Sequence, residues 1–232
     1  MFLMWDPVYW IFALPALLLG LYAQWRVQST YRKYLQVPNA TGITGVEAAR
    51  RLMRTAGLYL NVEGTSGQLS DHYDPRSKIL RLSRGVATRA SVASMAIVAH
   101  EVGHAEQDAQ GYGPMRVRSG LVPVVTLTSW LGPILFFLGL LLNLTNLAWL
   151  GVVAFAAATV FALVTLPVEI NASRRGLRLL EQSGILTGEN EQRGARKVLN
   201  AAALTYVAAL TQSISTLLYY FFLLGGRSRR RS

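Results

Sequence analysis

Four long apolar runs dominate the pattern of hydrophobic and polar positions along this chain, at 7–24, 121–143, 146–166 and 201–224. Each is close to the ~20 residues that an α-helix needs to cross the core of a bilayer. Aromatic side chains crowd the ends of the first run, as at membrane interfaces: Trp5, Tyr9, Trp10, Tyr22 and Trp25. The pattern predicts four transmembrane helices. The first is expected to be a retained anchor, since no basic residue precedes it.

The polar segments between these runs predict a small α+β domain. Thr44 and Glu47 match a capping box, and the short helix that they begin is expected to end at Gly57. A strand is predicted at 58–62, a loop at 64–67, and a hairpin from 68–73 and 78–82. An exposed edge of that hairpin would either bind an extended substrate by strand addition or be an ordinary sheet edge. A helix is predicted from about residue 90 to 109, and another continues from 167.

Composition strengthens the membrane interpretation. The chain has 232 residues, of which 52% are hydrophobic and only 15% charged, and its mean hydropathy is +0.31. The net charge of +11 comes from basic residues that flank apolar runs, so it indicates membrane-flanking charge and no nucleic-acid partner. There are no cysteines, so a zinc site would have to use histidine and carboxylate ligands.

The chemistry of the chain concentrates in the pattern H-E-x-x-H at residues 100–104. On a helix, His100 and His104 lie one turn apart (~6 Å) on one face, which suits a single zinc ion. Glu101 is placed to act as general base toward a zinc-activated water. The pattern also occurs by chance on packed helices. Here, however, two of the three histidines of the chain fall in it, and Glu101 lies among apolar and small residues where a charge needs a partner.

A third zinc ligand is expected from the segment that follows the third apolar run. Glu169 lies at this boundary between Val168 and Ile170, where a carboxylate is unfavourable unless it is paired or bound to a cation. The alternative is a solvated glutamate at a helix start. Rival ligands are Glu106, Asp108, Glu181 and His72. His72 is also a candidate for stabilising the developing oxyanion.

Three blocks of sequence together resemble the YugP family of membrane zinc metallopeptidases, over nearly the whole chain. They are 70–75, 91–107 and 166–175. More distantly, the chain is similar to HtpX-type and CAAX prenyl proteases, which place a membrane hairpin between the H-E-x-x-H helix and a ligand glutamate. Their second motif has the form E-x-x-A-D, and Glu169-Ile-Asn-Ala-Ser173 matches it except that Ser173 replaces the acid. The resemblance implies that Glu169 is a ligand, and that Ser173 or Asn171 orients a histidine.

Both polar segments are expected on one side of the membrane, because two spans separate them and both supply proposed zinc ligands. Segment 25–120 holds thirteen Lys or Arg and segment 167–200 holds six, and two predicted spans separate them. The tendency for positive loops to stay inside puts that side in the cytoplasm, in a bacterial cytoplasmic membrane. The basic tail after the last run opposes this tendency. That run is interpreted as a span, although a re-entrant or interfacial segment is the alternative.

The sequence therefore predicts a mostly α membrane protein with four transmembrane helices and a small α+β, zincin-like cytoplasmic domain. The divisions are an anchor at 1–24, the domain with the H-E-x-x-H helix at 25–120, a hairpin at 121–166, a cytoplasmic helix at 167–200, and a last helix with its tail at 201–232. The predicted function is a membrane-embedded zinc metalloendopeptidase with one Zn²⁺ per chain. Its expected partners are the lipid bilayer and membrane proteins or juxtamembrane peptides as substrates.

The sequence also allows two alternative functions, a scaffold or chaperone and an ion or proton carrier. A non-catalytic scaffold or chaperone would use zinc only as a structural staple, in a closed site with four protein ligands such as one that includes His72. An ion or proton carrier is disfavoured, because all three histidines lie outside the predicted spans. Serine catalysis has no support, since the chain contains no G-x-S-x-G. The oligomeric state does not follow from the sequence.

Overall fold

A computed structural model describes residues 7–228, which form a mostly helical protein with one small sheet. Trp5 and the end of the basic tail lie outside the described residues. The helices are α1 Pro7–Leu35, α2 Gly45–Thr55, α3 Arg84–Thr88, α4 Val92–Ala109, α5 Gly113–Leu141, α6 Thr145–Gln182 and α7 Glu189–Ser228. The strands are β1 Asn61–Thr65, β2 His72–Asp74 and β3 Ile79–Ser83.

The chain divides into two compact units. The first, as far as the structure describes it, comprises 7–23, 117–166 and 205–228, and the second comprises 24–116 and 167–204. Helices α1, α6 and α7 each contribute residues to both. Four helices (α1, α5, α6 and α7) are long and apolar enough to cross a membrane by length and composition, as the four apolar runs predict.

In the first unit, small residues let α5 and α6 pack closely. A Cβ added at Gly139 would lie 2.3 Å from the backbone nitrogen of Ala148, and one at Gly151 would lie 2.4 Å from that of Phe136. Such close backbone approach is typical of helix pairs in membranes. Phe136 also stacks on Tyr220 of α7 with ring centroids 3.9 Å apart. Leu141 and Val153 remain 76% and 66% exposed, as lipid-facing side chains would.

The second unit is built around α4 and the sheet, whose strand order is β1-β3-β2. β2 pairs antiparallel with β3, which confirms the predicted hairpin, whereas β1 pairs parallel with β3. The capping box on α2 is present, with Thr44 and Glu47 bonded reciprocally. The core of the unit consists of fully buried side chains from α2, β3 and α4, among them Leu52, Leu80, Leu82, Met95 and Val98.

The first strand differs from the prediction. It runs over Asn61–Thr65 and not over 58–62, because Gly57 adopts a left-handed conformation (φ 68°) and the Leu58 amide bonds back to the carbonyl of Met53. The chain therefore turns before it can pair. Gly64, expected in a loop, lies in the ladder opposite Leu82. The short helix α3 was not predicted.

Candidate active site

The H-E-x-x-H residues lie in the middle of helix α4. Ser91 begins the helix, where its Oγ accepts the backbone N–H of Ser94 at 3.1 Å, a typical N-cap contact. No glycine or proline interrupts α4 before the motif, so His100 and His104 project from one face on successive turns. Their ring centroids are 4.7 Å apart.

Glu169 of α6 lies against both imidazoles. Its Oε2 is 3.2 Å from His100 Nε2 and 3.5 Å from His104 Nε2, and the residue is 2% exposed. The nearest ligand atoms of the three residues all lie within 4.8 Å of one another. Ligands at about 2.0–2.1 Å from a tetrahedral zinc are about 3.3 Å apart. The donor set and its spacing therefore fit one zinc ion.

The electrostatics of the three residues are tightly linked. Burial would raise the pKa of Glu169, but hydrogen bonds with His100 and His104 outweigh it and hold the pKa well below its usual range. Burial would likewise lower the pKa of His104, but the hydrogen bond to Glu169 and the charge of Glu101 raise it. The carboxylate is thus kept ionised next to the imidazoles, as a cation ligand must be.

Glycines bring α4 and α6 close enough for this contact. A Cβ on Gly103, inside the motif, would lie 2.4 Å from the carbonyl oxygen of Ala172. One on Gly176 would lie 2.6 Å from the carbonyl oxygen of Ala99. Both contacts are with backbone atoms, which cannot swing aside. The distance between Glu169 and the histidines therefore depends on the absence of side chains at these two positions.

The Nδ1 atom of each histidine contacts a polar side chain that orients the ring. His100 Nδ1 lies 3.0 Å from Ser173 Oγ, and His104 Nδ1 lies 3.0 Å from Gln107 Oε1. Metal-binding histidines are usually oriented by such contacts. Ser173 therefore lies where a histidine-orienting residue is expected, whereas Asn171 contacts Gln107 and not a histidine. Gln107 was not among the predicted site residues, although its position three residues after His104 on the same helix was a usable signal.

Glu101 lies beside this cluster and faces the sheet. It is 8% exposed, and its Oε2 accepts the backbone N–H of Tyr73 in β2 at 2.9 Å. Within residues 7–228 its other oxygen, Oε1, has no hydrogen-bond partner. Burial raises the pKa of Glu101 above its usual value. A carboxylate with one oxygen anchored, one free and a raised pKa is suited to accept a proton.

Comparison with known proteins assigns the family. The model of a family described as "Putative neutral zinc metallopeptidase" matches residues 9–225. The chain belongs to this family. It is also 42% identical to the Bacillus subtilis (strain 168) protein named "Putative membrane protease YugP", over 216 residues that cover 92% of this chain and 96% of that protein. No solved structure matches the chain.

Family membership confirms the resemblance to YugP-type metallopeptidases seen in the sequence. It associates the chain with zinc and with proteolysis. Together with the four long apolar helices, it indicates an integral membrane protein. The His100–His104–Glu169 cluster is a group of side chains that could hold a metal ion.

Two of the rival ligands pair with other residues, and the other two are exposed. Glu106 pairs with Arg178, with 2.6 Å between Oε1 and Nη2, and Asp108 accepts from Tyr73 Oη at 2.7 Å and pairs with Lys78. Glu181 is exposed. His72 is exposed on β2, with its Nδ1 2.8 Å from the carbonyl of Ser70. In the part of the chain that the structure describes, the metal-competent group has three members and His72 is not among them.

Substituting Gly103 by alanine is expected to push α4 and α6 apart and weaken zinc binding. The added Cβ would overlap the Ala172 carbonyl, and overpacking of this kind typically destabilises by about 1–3 kcal/mol. Zinc titration and thermal unfolding of the detergent-solubilised protein measure the two effects. Gly113→Ala is the matched control, because a Cβ there meets nothing within 4 Å. Equal zinc affinity and unfolding temperature in both variants would contradict the packing argument.

Proposed function

We propose that this protein is a membrane-embedded zinc metalloendopeptidase, with His100, His104 and Glu169 as zinc ligands and Glu101 as general base. The observation that carries the proposal is the cluster of two imidazoles and one carboxylate, with ligand atoms within 4.8 Å of one another and with His104 and Glu169 buried. Three protein ligands are the number that catalytic zinc sites use, because the fourth position must remain open. The proposal assigns one zinc ion to each chain.

Zinc held there would act as a Lewis acid toward the scissile carbonyl and lower the pKa of a water molecule to about 7. Glu101 Oε1 would accept the proton of the attacking water and then deliver it to the leaving nitrogen of the peptide. The hydrogen bond from the Tyr73 amide to Oε2 holds the carboxylate in orientation for both transfers. His72, exposed on the same strand, remains our candidate for stabilising the oxyanion.

We infer that the site faces the cytoplasm and acts on membrane proteins or juxtamembrane peptides. Support for the side comes from the thirteen and six basic residues of segments 25–120 and 167–200. Support for the substrate class comes from position in the chain, since Glu169 follows the apolar run 146–166 by three residues. The B. subtilis relative is named a membrane protease.

The alternative of a scaffold with structural zinc requires a closed site. Structural zinc sites almost always have four protein ligands. Among residues 7–228 the cluster offers three, and Glu101 lies beside it with one oxygen free. These features favour hydrolysis over a structural staple.

Metal removal tests the proposal directly. The detergent-solubilised protein should cleave an internally quenched peptide whose two ends are blocked, because an endopeptidase needs neither terminus. Treatment with a zinc chelator is expected to abolish cleavage, and about one equivalent of Zn²⁺ per chain should restore it whereas Mg²⁺ should not. Cleavage that survives complete removal of zinc would contradict the proposed function.

A further inference from the structure

Gln107 is an amide buried at the centre of the site with all of its polar atoms engaged. It is 0% exposed. Its Oε1 lies 3.0 Å from His104 Nδ1, and its Nε2 donates to the carbonyl of Val168 at 2.9 Å and to Asn171 Oδ1 at 2.9 Å. A buried side chain with three contacts of this kind is held in one rotamer, so its hydrogen-bond polarity can be worked out from its neighbours.

The neighbours allow only one orientation of the Gln107 amide. The Val168 carbonyl is an acceptor only, so the amide atom that faces it must be the NH₂ group. Reversing the amide would set Oε1 against two acceptor oxygens at 2.9 Å with no proton between them. Oε1 therefore points to His104, and it can only accept. The Nδ1 atom of His104 must then carry the proton.

Asn171 has its own orientation fixed by an arginine. Its Oδ1 accepts from Arg175 Nε at 2.7 Å, and a guanidinium can only donate. Arg175 is itself anchored, because its Nη1 donates to Gln110 Oε1 at 2.6 Å and its guanidinium lies 5.7 Å from the Tyr112 ring centre. The NH₂ group of Asn171 therefore cannot face Gln107. The direction of the whole series is set by a group that is always protonated.

We propose that Gln107, Asn171 and Arg175 form a one-directional hydrogen-bond chain that fixes His104 as the Nδ1–H tautomer and so presents the Nε2 lone pair to the metal. The inference rests on the proposed function, in which His104 binds zinc through Nε2. Gln107 is the positioning residue, and Asn171 and Arg175 act through it. A neutral imidazole in the wrong tautomer would direct an N–H bond at the ion and could not bind it.

The second histidine has no such directional chain. Ser173 contacts His100 Nδ1 through a hydroxyl, which can either donate or accept. That contact orients the ring of His100 without selecting its tautomer. The two ligands therefore differ, and loss of the Gln107 contact is expected to weaken zinc binding more than loss of the Ser173 hydroxyl.

The test reads the tautomer and the metal affinity of the full-length protein in detergent micelles. ¹⁵N histidine NMR without added metal should show a proton on His104 Nδ1 in the wild type, whether or not the nearby Glu169 carboxylate also holds a proton on Nε2. Gln107→Leu removes the acceptor and should give a mixture of tautomers and about 10–100-fold weaker binding of Zn²⁺. Gln107→Glu retains an acceptor toward His104 but sets its second oxygen against the Val168 carbonyl and Asn171 Oδ1, so it should keep the Nδ1–H tautomer and recover only part of the affinity.

Gln182→Leu is the matched control, since it removes an exposed glutamine of α6 that is not part of the hydrogen-bond chain. It should leave tautomer and affinity unchanged. An Nε2–H tautomer in the wild type, or an unchanged tautomer and affinity in Gln107→Leu, would overturn the inference, and the wild-type reading does not depend on the folding of any variant. A wild type with the Nδ1–H tautomer that bound no zinc would support the chain and refute the proposed function.

Discussion

Replacing Glu101 by glutamine is expected to leave zinc bound and to lower peptidase activity by about 10²–10⁴-fold, the usual contribution of a general base. The amide has the same shape, and its oxygen can still accept the backbone N–H of Tyr73, which now bonds Glu101 Oε2 at 2.9 Å. It cannot take a proton from water. The packing of α4 and the three proposed ligands stay unchanged. Initial rates on the blocked peptide, measured beside zinc content per chain, give both quantities.

Glu63→Gln is a suitable control for this experiment. Glu63 lies on β1 of the same unit, is 51% exposed, and pairs with Arg81 away from the cluster. Its loss should change neither rate nor zinc content. A Glu101→Gln enzyme that cleaved at the wild-type rate would refute the assigned base. Zinc loss in that variant would instead show that the carboxylate supports the metal.

Local sequence patterns predicted the elements of this fold well where one pattern decides the outcome. Four long apolar runs correspond to four long helices, and Thr44 with Glu47 forms the capping box on α2. The hairpin around Asp74 also follows from turn chemistry, because its carboxylate accepts the backbone N–H of Arg76 at 2.9 Å. Each of these features depends on residues close together in the sequence.

Features that depend on tertiary contacts were harder to predict from the sequence. The parallel pairing of β1 with β3 moves the first strand to Asn61–Thr65, and no local pattern encodes that partner. No local pattern assigned a role to the glycine inside the motif, yet Gly103 allows the close approach of α4 to Ala172. Gln107 likewise acquires its role only when α6 brings Val168 and Asn171 to it.

The sequence indicated that Glu169 needs a partner but did not exclude rival carboxylates. Its apolar neighbours and its place after a predicted span indicated a carboxylate that needs a partner. The structure places it with two imidazoles, 69 residues along the chain from His100. The sequence could not exclude Glu106 by charge alone. What separates the two carboxylates is that Glu106 is paired with Arg178 whereas Glu169 faces the histidines.

Substituting Glu169 by alanine is expected to remove zinc from the protein and abolish peptidase activity with it. The residue is 2% exposed and supplies the one carboxylate of the three-member cluster. Without it two neutral imidazoles would remain, and the loss in affinity should exceed the ~10–100-fold that removal of an outer contact causes. Zinc content after gel filtration, together with zinc titration, measures the effect. Glu169→Asp keeps the charge on a shorter side chain and should retain partial binding.

Two controls separate a lost ligand from general damage to the site. Glu181→Ala removes an exposed carboxylate further along the same helix and should keep full zinc content. His72→Ala should also bind zinc normally, because His72 lies outside the cluster, and any loss of activity would then reflect its proposed role toward the oxyanion. Normal zinc content in Glu169→Ala would refute the ligand assignment. Zinc loss in His72→Ala would favour a closed site with four ligands, and with it the structural function over the catalytic one.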